Sequence, residues 1–211
     1  MTEMNPISRF FVNLSAARRS SRVYRWILED VPGSRGARWL EVGCGNGALA
    51  SRIVEGLAPA RYIATDIDSH QLDVARRNLE RRFSTAWPTA LELKLANMVD
   101  LPFDPASFDR VIAMLTIHHA GADHHDFGAA SKALAQFDRV LTPGGRIVYE
   151  EFLHKEAIRS WLVGHGYTIE RRRGRLRVEF VVARKPPLGG SSGVTDAPGA
   201  ISDGASREAR P

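Results

Sequence analysis

Three glycines at alternate positions, Gly43, Gly45 and Gly47, are the first residues whose type and spacing could serve chemistry. They follow a short apolar run from Trp39 to Val42 and precede residues 48–57, where apolar side chains recur at helical spacing. This pattern predicts a strand, a tight turn (the glycine turn, Gly43 to Gly47) and the start of a helix. Because glycine has no Cβ, a ligand can approach such a turn closely, and nucleotide-like ligands bind there.

Two acids are placed to act with this turn. Glu41 lies in the first strand, two residues before Gly43, where a strand of a parallel sheet is ordinarily apolar. A carboxylate there could face a cationic group such as a sulfonium or an α-amino group. Asp66 closes a second strand, Arg61 to Thr65, roughly 20 residues after the glycines, which suits an acid that accepts hydrogen bonds from ribose hydroxyls. Residues 43–48 also satisfy a looser dinucleotide pattern, so a nicotinamide-dependent dehydrogenase stays open here.

A histidine cluster follows the fourth predicted strand, Phe108 to Leu115. Four of the seven histidines, His118, His119, His124 and His125, lie in this one segment. Adjacent histidines point in different directions, so we expect no metal site. A histidine titrates near neutral pH and can accept the proton of an attacking hydroxyl, which makes His118 and His119 the candidate catalytic bases.

Two further motifs complete the pattern. Residues 96–103 read Ala-Asn-Met-Val-Asp-Leu-Pro-Phe, and residues 139–145 read Arg-Val-Leu-Thr-Pro-Gly-Gly. With Glu41, the glycine turn and Asp66, they resemble the class I S-adenosylmethionine-dependent methyltransferases of the small-molecule type, over a stretch that ends near Lys185. The resemblance implies a methyltransferase with S-adenosyl-L-methionine as its cofactor.

The same resemblance implies roles for individual residues. Glu41 is expected to orient the methionine end of the cofactor, Asp66 to hold the ribose, and Asn97 to accept a hydrogen bond from the adenine amine. Asn97 stands where the family commonly has aspartate, and its carbonyl oxygen can still accept that bond. The implied cofactor-binding set is Glu41, Gly43, Cys44, Gly45, Gly47, Asp66, Ile67, Asn97, Met98 and Met114.

The elements that must position these residues alternate between strands and helices. The resemblance implies an α/β, doubly wound, Rossmann-like sheet of seven strands in the order 3-2-1-4-5-7-6, mostly parallel with a C-terminal antiparallel hairpin. The alternating segment Leu91 to Leu95 suits the edge strand. The hairpin is predicted from Tyr167 to Arg184, with its turn at Arg173-Gly174. Its inward side chains are predicted to be Leu176, Val178, Phe180 and Val182.

Helical spacing and turn signals predict the other elements. Residues 7–28 suit two helices or one broken helix. Asp68 suits the N-cap of a helix from His70 to Phe83. A turn at residues 141–145 is predicted to lead into a fifth strand, Arg146 to Glu150.

Composition bounds the class of protein. Of 211 residues, 44% are hydrophobic and 25% charged, which is ordinary for a globular protein. We expect an N-terminal helical cap over residues 1–36, a class I methyltransferase domain over 37–185, and a disordered tail over 186–211. There is no apolar run long enough to span a bilayer and no signal peptide, so a cytoplasmic location is expected. The single cysteine, Cys44, excludes an internal disulfide.

The formal net charge of +5 is compatible with a nucleic-acid partner. Arginines cluster between Arg18 and Arg25 and between Arg171 and Arg177, but others are spread along the chain, which favours a solvated arginine-rich surface. The expected partner is a small-molecule acceptor: a phenol, a quinone or a lipid-like compound. The alternatives kept open are an RNA or protein methyltransferase and a catalytically inactive protein that binds S-adenosylmethionine.

Overall fold

A computed structural model describes the backbone of residues 6–175 and 178–188 and the side chains of residues 18–174 and 178–188. Its strands are β1 (Arg38–Val42), β2 (Arg61–Asp66), β3 (Leu91–Leu95), β4 (Phe108–Met114), β5 (Leu141–Glu151), β6 (Thr168–Arg175) and β7 (Val178–Arg184). They form one sheet in the order β3-β2-β1-β4-β5-β7-β6. The first five strands are parallel, and β7 is antiparallel to both β5 and β6. The predicted fold class and strand order are confirmed.

The helices are α1 (Pro6–Asp30), α2 (Ala48–Leu57), α3 (Ser69–Arg82), α4 (Phe127–Val140) and α5 (Lys155–Gly164), with a short 3-10 turn at Ile117–His119. α1 is one continuous helix, so the prediction of two helices or one broken helix over residues 7–28 is wrong. The Asp68 side chain accepts a hydrogen bond from the backbone N of His70 at 2.8 Å, so the predicted N-cap of α3 is confirmed. Within the described ranges, every helix is too short or too polar to cross a lipid bilayer.

A hydrophobic core lies on each face of the sheet, because successive side chains of a strand point to opposite faces. One core contains Phe108 and Tyr149 from the sheet together with residues of α4 and α5. The other contains Trp39 and Tyr62 with residues of α1, α2 and α3. Since both faces are covered, the loops at the carboxyl ends of the parallel strands are the place for a site.

The hairpin differs from the prediction at its turn. Arg173 and Gly174 lie within β6 and pair with Phe180 and Glu179, so the turn predicted there is wrong. The residues that join the two strands lie outside the described residues, and so does the predicted inward side chain of Leu176. Residues 179–183 are all buried rather than alternating, because β7 lies between two strands and contributes to both cores.

The fifth strand begins earlier than predicted. Leu141 already pairs with Phe108, whereas the next pair joins Arg146 to Arg110, so the intervening residues of β5 bulge out of register. Gly144 lies in this bulge with φ of 74°, a value that favours glycine. The segment predicted as a separate turn is thus absorbed into the strand. Residues 189–211, most of the predicted tail, lie outside the described residues.

Candidate active site

The glycine turn joins β1 to α2. Gly43, Gly45 and Gly47 have φ of 70°, 53° and 74°, left-handed values that favour glycine. The backbone N of Cys44 donates to the carbonyl of Thr65 at 2.8 Å, which holds the turn against the end of β2. A Cβ added to Gly45 would meet no atom within 4 Å, so a ligand can reach the backbone here.

Gly43 faces the protein instead, because a Cβ added to it would lie 2.2 Å from Oγ1 of Thr116. We expect Gly43→Ala to lower the free energy of unfolding by about 2 kcal/mol, since it adds both a left-handed alanine and a steric overlap. Urea unfolding measures this loss. Gly45→Ala is the matched control, because it adds the conformational strain without the overlap and should cost about 1 kcal/mol. Equal losses would contradict the packing of Thr116 against Gly43.

Asp66, at the carboxyl end of β2, reaches the glycine turn. Its Oδ2 accepts a hydrogen bond from the backbone N of Gly45 at 2.9 Å, and its Oδ1 accepts one from the backbone N of Asp68 at 3.1 Å. Burial raises the pKa of Asp66, and these backbone donors oppose the shift. Ile67 follows with 48% of its surface exposed. An acid and an accessible apolar side chain therefore lie beside the open backbone of the turn.

Glu41 is buried, with 3% of its surface exposed. Its Oε2 accepts a hydrogen bond from the hydroxyl of Tyr62 at 2.8 Å. Burial raises the pKa of Glu41 to about 8, although the bond from Tyr62 favours the charged form. The expected contact with a cationic group stays a prediction, and the structure adds Tyr62 as a partner that the sequence pattern did not indicate.

The predicted adenine-binding residues lie in the loop after β3. Asn97 is exposed, and its Oδ1 accepts a hydrogen bond from the backbone N of Val99 at 3.1 Å. Met98 is 7% exposed and belongs to the core beneath α4 and α5. Met114, at the carboxyl end of β4, is half-buried and packs against the opposite core. Asn97 is thus accessible, whereas Met98 packs mostly against the core. The cofactor contacts of Asn97, Met98 and Met114 stay predictions.

His118 has a carboxylate partner that the sequence analysis missed. Its Nδ1 lies 2.8 Å and 2.9 Å from the two side-chain oxygens of Glu151. His118 is 7% exposed and Glu151 is fully buried. Because a carboxylate is an acceptor, the neutral ring carries its proton on Nδ1 and keeps the lone pair of Nε2 for another proton. This is the arrangement of an oriented base.

His119 is placed differently, although its ring centroid lies only 3.9 Å from that of His118. His119 is exposed. Its pKa is lowered to about 4, first by partial loss of hydration and then by the neighbouring rings of His118 and His124. The structure therefore separates the two candidates: His118 is oriented by a carboxylate, and His119 is a neutral ring beside it at neutral pH.

Two more histidines fasten the loop around His118. The Nδ1 of His124 donates to the backbone carbonyl of His118 at 3.0 Å, and the Nε2 of His154 donates to the carbonyl of His124 at 2.8 Å. Within the described part of the chain, no group of three or more His, Cys, Asp or Glu side chains is arranged to hold a metal ion.

A positional signal for Glu151 was present in the sequence. Glu151 closes β5, the strand beside β4, and the carboxyl ends of adjacent parallel strands meet at one edge of the sheet. An acid at the carboxyl end of β5 is therefore close to the residues that follow β4, which include His118. The predicted strand stopped at Glu150, which left Glu151 unassigned.

A family model described as "Methyltransferase domain" matches residues 40–149. The chain belongs to this family. The methyltransferase domain is 30% identical over 127 residues to 27-O-demethylrifamycin SV methyltransferase of Amycolatopsis mediterranei, covering 58% of this chain and 41% of that protein. It is 32% identical over 126 residues to fatty-acid O-methyltransferase of Mycolicibacterium smegmatis, covering 60% of this chain and 41% of that protein. The chain thus spans about two fifths of the length of these relatives.

Solved structures share the fold of this methyltransferase domain. Magnesium protoporphyrin IX methyltransferase of Synechocystis PCC 6803, solved with bound SAM, matches with a TM-score of 0.65 and 19% identity, covering 88% of this chain and 86% of that one. The [4+2]-cyclase SpnF matches with a TM-score of 0.66 and 18% identity, covering 82% and 81%. At such identities the likeness shows the fold alone, and the cyclase illustrates that this fold does not set the reaction.

Many of the clustered arginines pair with carboxylates. Arg22 of α1 hydrogen-bonds Glu150, and Nε of Arg19 lies 3.9 Å from the same carboxylate. Burial raises the pKa of Glu150, and the charge of Arg22 opposes that shift most strongly. In the second cluster the pairs are Arg171 and Arg173 with Asp30, and Arg172 with Glu179. These pairs reduce the unbalanced positive charge that a polyanion could bind.

Glu41 links the stability of the domain to pH. Its pKa is about 8 in the folded protein and about 4.3 in an unfolded chain, so the folded state keeps a proton that the unfolded state loses. This stabilisation is complete below about pH 4.3 and decreases by about 1.4 kcal/mol per pH unit as the pH rises towards 8. We expect Glu41→Gln, which keeps an acceptor for Tyr62, to remove this part of the pH dependence. Urea unfolding of both proteins between about pH 4.3 and 8 measures this difference. If the free energies of unfolding of the two proteins changed with pH in parallel, Glu41 would be ionised in the folded protein.

Proposed function

We propose that this domain transfers the methyl group of S-adenosyl-L-methionine to a hydroxyl oxygen of a small molecule such as a phenol, a quinone-derived compound or a lipid-like alcohol. The observation that carries the proposal is the buried pair of His118 and Glu151 at the carboxyl ends of β4 and β5. A hydroxyl must lose its proton as its oxygen forms the new bond, and an imidazole oriented by a carboxylate can accept that proton. The relative named as a fatty-acid O-methyltransferase supports an oxygen acceptor.

The residues at the glycine turn fit S-adenosyl-L-methionine. The backbone at Gly45 is open, Asp66 lies 2.9 Å from its N, and Ile67 presents an exposed apolar side chain. We assign the ribose to Asp66, one face of the adenine to Ile67 and the adenine amine to Asn97. When bound, the cofactor supplies an electrophilic methyl group on a sulfonium. The remaining proposed contacts are Glu41, Gly43, Cys44, Gly47, Met98 and Met114.

The proton moves through the His118 pair. The acceptor hydroxyl donates its proton to Nε2 of His118, which becomes an imidazolium. The carboxylate of Glu151, already bonded to Nδ1, stabilises this cation and keeps the ring in place. Such a positioned base contributes about 10²- to 10⁴-fold to rate, and holding the reactants in line contributes the rest.

The acceptor side of the site is proposed to involve the N-terminal cap, residues 1–36. The contact of Arg22 with Glu150 attaches α1 next to the last residues of β5. Only residues 152–154 separate β5 from α5, so there is no inserted segment there to recognise the acceptor. Recognition then rests on α1 and on the loop after β4 that carries His118, His119, His124 and His125. Residues 37–185 are the proposed methyltransferase domain.

Two measurements test the proposal. Isothermal titration with S-adenosylhomocysteine should give binding on the order of micromolar. Incubation with S-adenosylmethionine and a panel of phenols, quinones, fatty acids and RNA should then yield a methylated hydroxyl compound. Cofactor binding with no product from any acceptor would favour the catalytically inactive alternative, and product only with RNA, at a rate that falls steeply with salt, would favour the RNA alternative. Binding of NADH instead would return the chain to the dinucleotide-binding proteins.

A further inference from the structure

Phe152 is the first residue after β5, and 42% of its surface is exposed. Among the large apolar side chains that are exposed in the described residues, it is the only aromatic one. Its backbone N donates to Oε1 of Glu151 at 2.8 Å. The carboxylate that orients His118 therefore also accepts a hydrogen bond from the backbone of Phe152.

The ring of Phe152 contacts the candidate base directly. Its centroid lies 4.6 Å from that of His118, with 64° between the ring planes. The ring of His119 lies 3.9 Å from His118, and that of His124 lies 4.7 Å from His119. We call His118, His119, His124 and Phe152 the aromatic wall. Because His119 is neutral at neutral pH, this ring adds no charge to the wall.

A structural role does not account for the ring of Phe152. In the part of the chain with described side chains, Phe152 does not belong to either hydrophobic core or to the residues packed against them. Leaving a phenylalanine ring partly in water forgoes much of the stabilisation that its burial would provide. Its ring packs against that of His118 and keeps a large exposed surface.

The position of Phe152 in the sheet points to the acceptor rather than the cofactor. β4 lies between β1, which carries the glycine turn, and β5, which ends beside Phe152. The ring is thus on the side of β4 away from the proposed ribose and adenine contacts. It contacts the ring of His118, to which the acceptor is proposed to donate its proton.

We propose that Phe152 is a specificity-determining residue, whose exposed ring packs against a flat, uncharged aromatic acceptor while the hydroxyl of that acceptor meets His118. This inference rests on the proposed function and narrows its acceptor to aromatic alcohols. Aromatic pairs in offset or edge-to-face geometry gain stability beyond the area that they bury, which corresponds to an affinity increase of about 2- to 12-fold. A saturated acceptor of the same size loses this gain.

The probes are 1-naphthol and decahydro-1-naphthol, which share a hydroxyl and a two-ring skeleton but differ in aromaticity. Isothermal titration of the full chain, saturated with S-adenosylhomocysteine, should show about 5-fold tighter binding of 1-naphthol. In Phe152→Leu the two affinities should agree within about 2-fold, because leucine keeps an apolar surface without a ring. Phe83→Leu, the same substitution at the end of α3, should keep the wild-type ratio.

Equal affinities in the wild-type protein would overturn the inference, as would a preference that persists in Phe152→Leu. Absence of binding by both alcohols while S-adenosylhomocysteine is bound would overturn it as well. Failure of the proposed function looks different, because it appears as lost cofactor binding or as lack of any methylated product. Neither variant should change the affinity for S-adenosylhomocysteine, since neither residue lies at the glycine turn.

Discussion

Replacing His118 by asparagine is expected to slow methyl transfer by about 10²- to 10⁴-fold and to leave the affinity for S-adenosylhomocysteine unchanged. The amide of asparagine can still donate to Glu151, which is fully buried, but it has no basic nitrogen. This choice avoids removing a side-chain donor from a buried carboxylate, which costs about 1–3 kcal/mol or more and would confuse a catalytic effect with misfolding. Single-turnover formation of S-adenosylhomocysteine with a responsive acceptor measures the rate.

His119→Asn is the matched control for this experiment. The substitution is the same and the two rings are in contact, but His119 is exposed and has no carboxylate partner among the described residues. We expect its rate to stay within about 10-fold of the wild-type rate, below the range expected for a positioned base. A large loss in His119→Asn with little effect in His118→Asn would assign the proton to His119. Equal small losses would show that neither ring acts as a base.

Local patterns were sufficient to predict most of the scaffold. The glycine turn and α2 follow from glycines at alternate positions before a helical stripe, and both lie within residues 43–57. The N-cap at Asp68 depends only on its own side chain and the next two residues. The alternating segment 91–95 lies at the edge of the sheet, where only one neighbouring strand pairs with it. Each of these features depends on contacts between residues close in sequence, or on a regular alternation of apolar and polar residues.

The errors occurred where tertiary contacts decide the structure. A glycine after several arginines favours a turn at Gly174. Gly174 instead pairs with Glu179, because β6 hydrogen-bonds the edge of β7 that faces away from β5. The segment Pro143 to Gly145 has the composition of a turn, yet pairing with β4 on both sides of it keeps it within β5. In both places the local preference is outweighed by strand pairing.

The partner of the candidate base was also beyond a local reading. His118 and Glu151 are 33 residues apart, and they meet only because β4 and β5 are adjacent and end at the same edge. The burial of Glu41 against Tyr62 has the same origin, since these side chains come from neighbouring strands 21 residues apart. The sequence pattern predicted that His118 and Glu41 belong to the site. The order of the strands determines which side chains, Glu151 and Tyr62, contact them.

Replacing Asp66 by asparagine is expected to weaken the binding of S-adenosylhomocysteine by about 10- to 150-fold, if this carboxylate accepts hydrogen bonds from the ribose. A hydrogen bond to a charged group contributes about 1.5–3 kcal/mol, and the amide provides one uncharged acceptor in place of a carboxylate. Asparagine has the same shape, and its amide oxygen can keep one of the two backbone hydrogen bonds, from Gly45 or from Asp68. Isothermal titration of both proteins at one pH and salt concentration gives the ratio of dissociation constants.

Asp73→Asn provides the control for Asp66→Asn, because Asp73 is exposed on α3 and carries the same charge and shape away from the glycine turn. It should change the affinity by less than about 2-fold, since a solvent-exposed charge contributes little at physiological salt. A midpoint of urea unfolding close to that of the wild-type protein would show that the Asp66→Asn protein remains folded. Unchanged affinity in a folded Asp66→Asn protein would remove Asp66 from the cofactor site and leave its contacts with Gly45 and Asp68 as a structural brace of the turn.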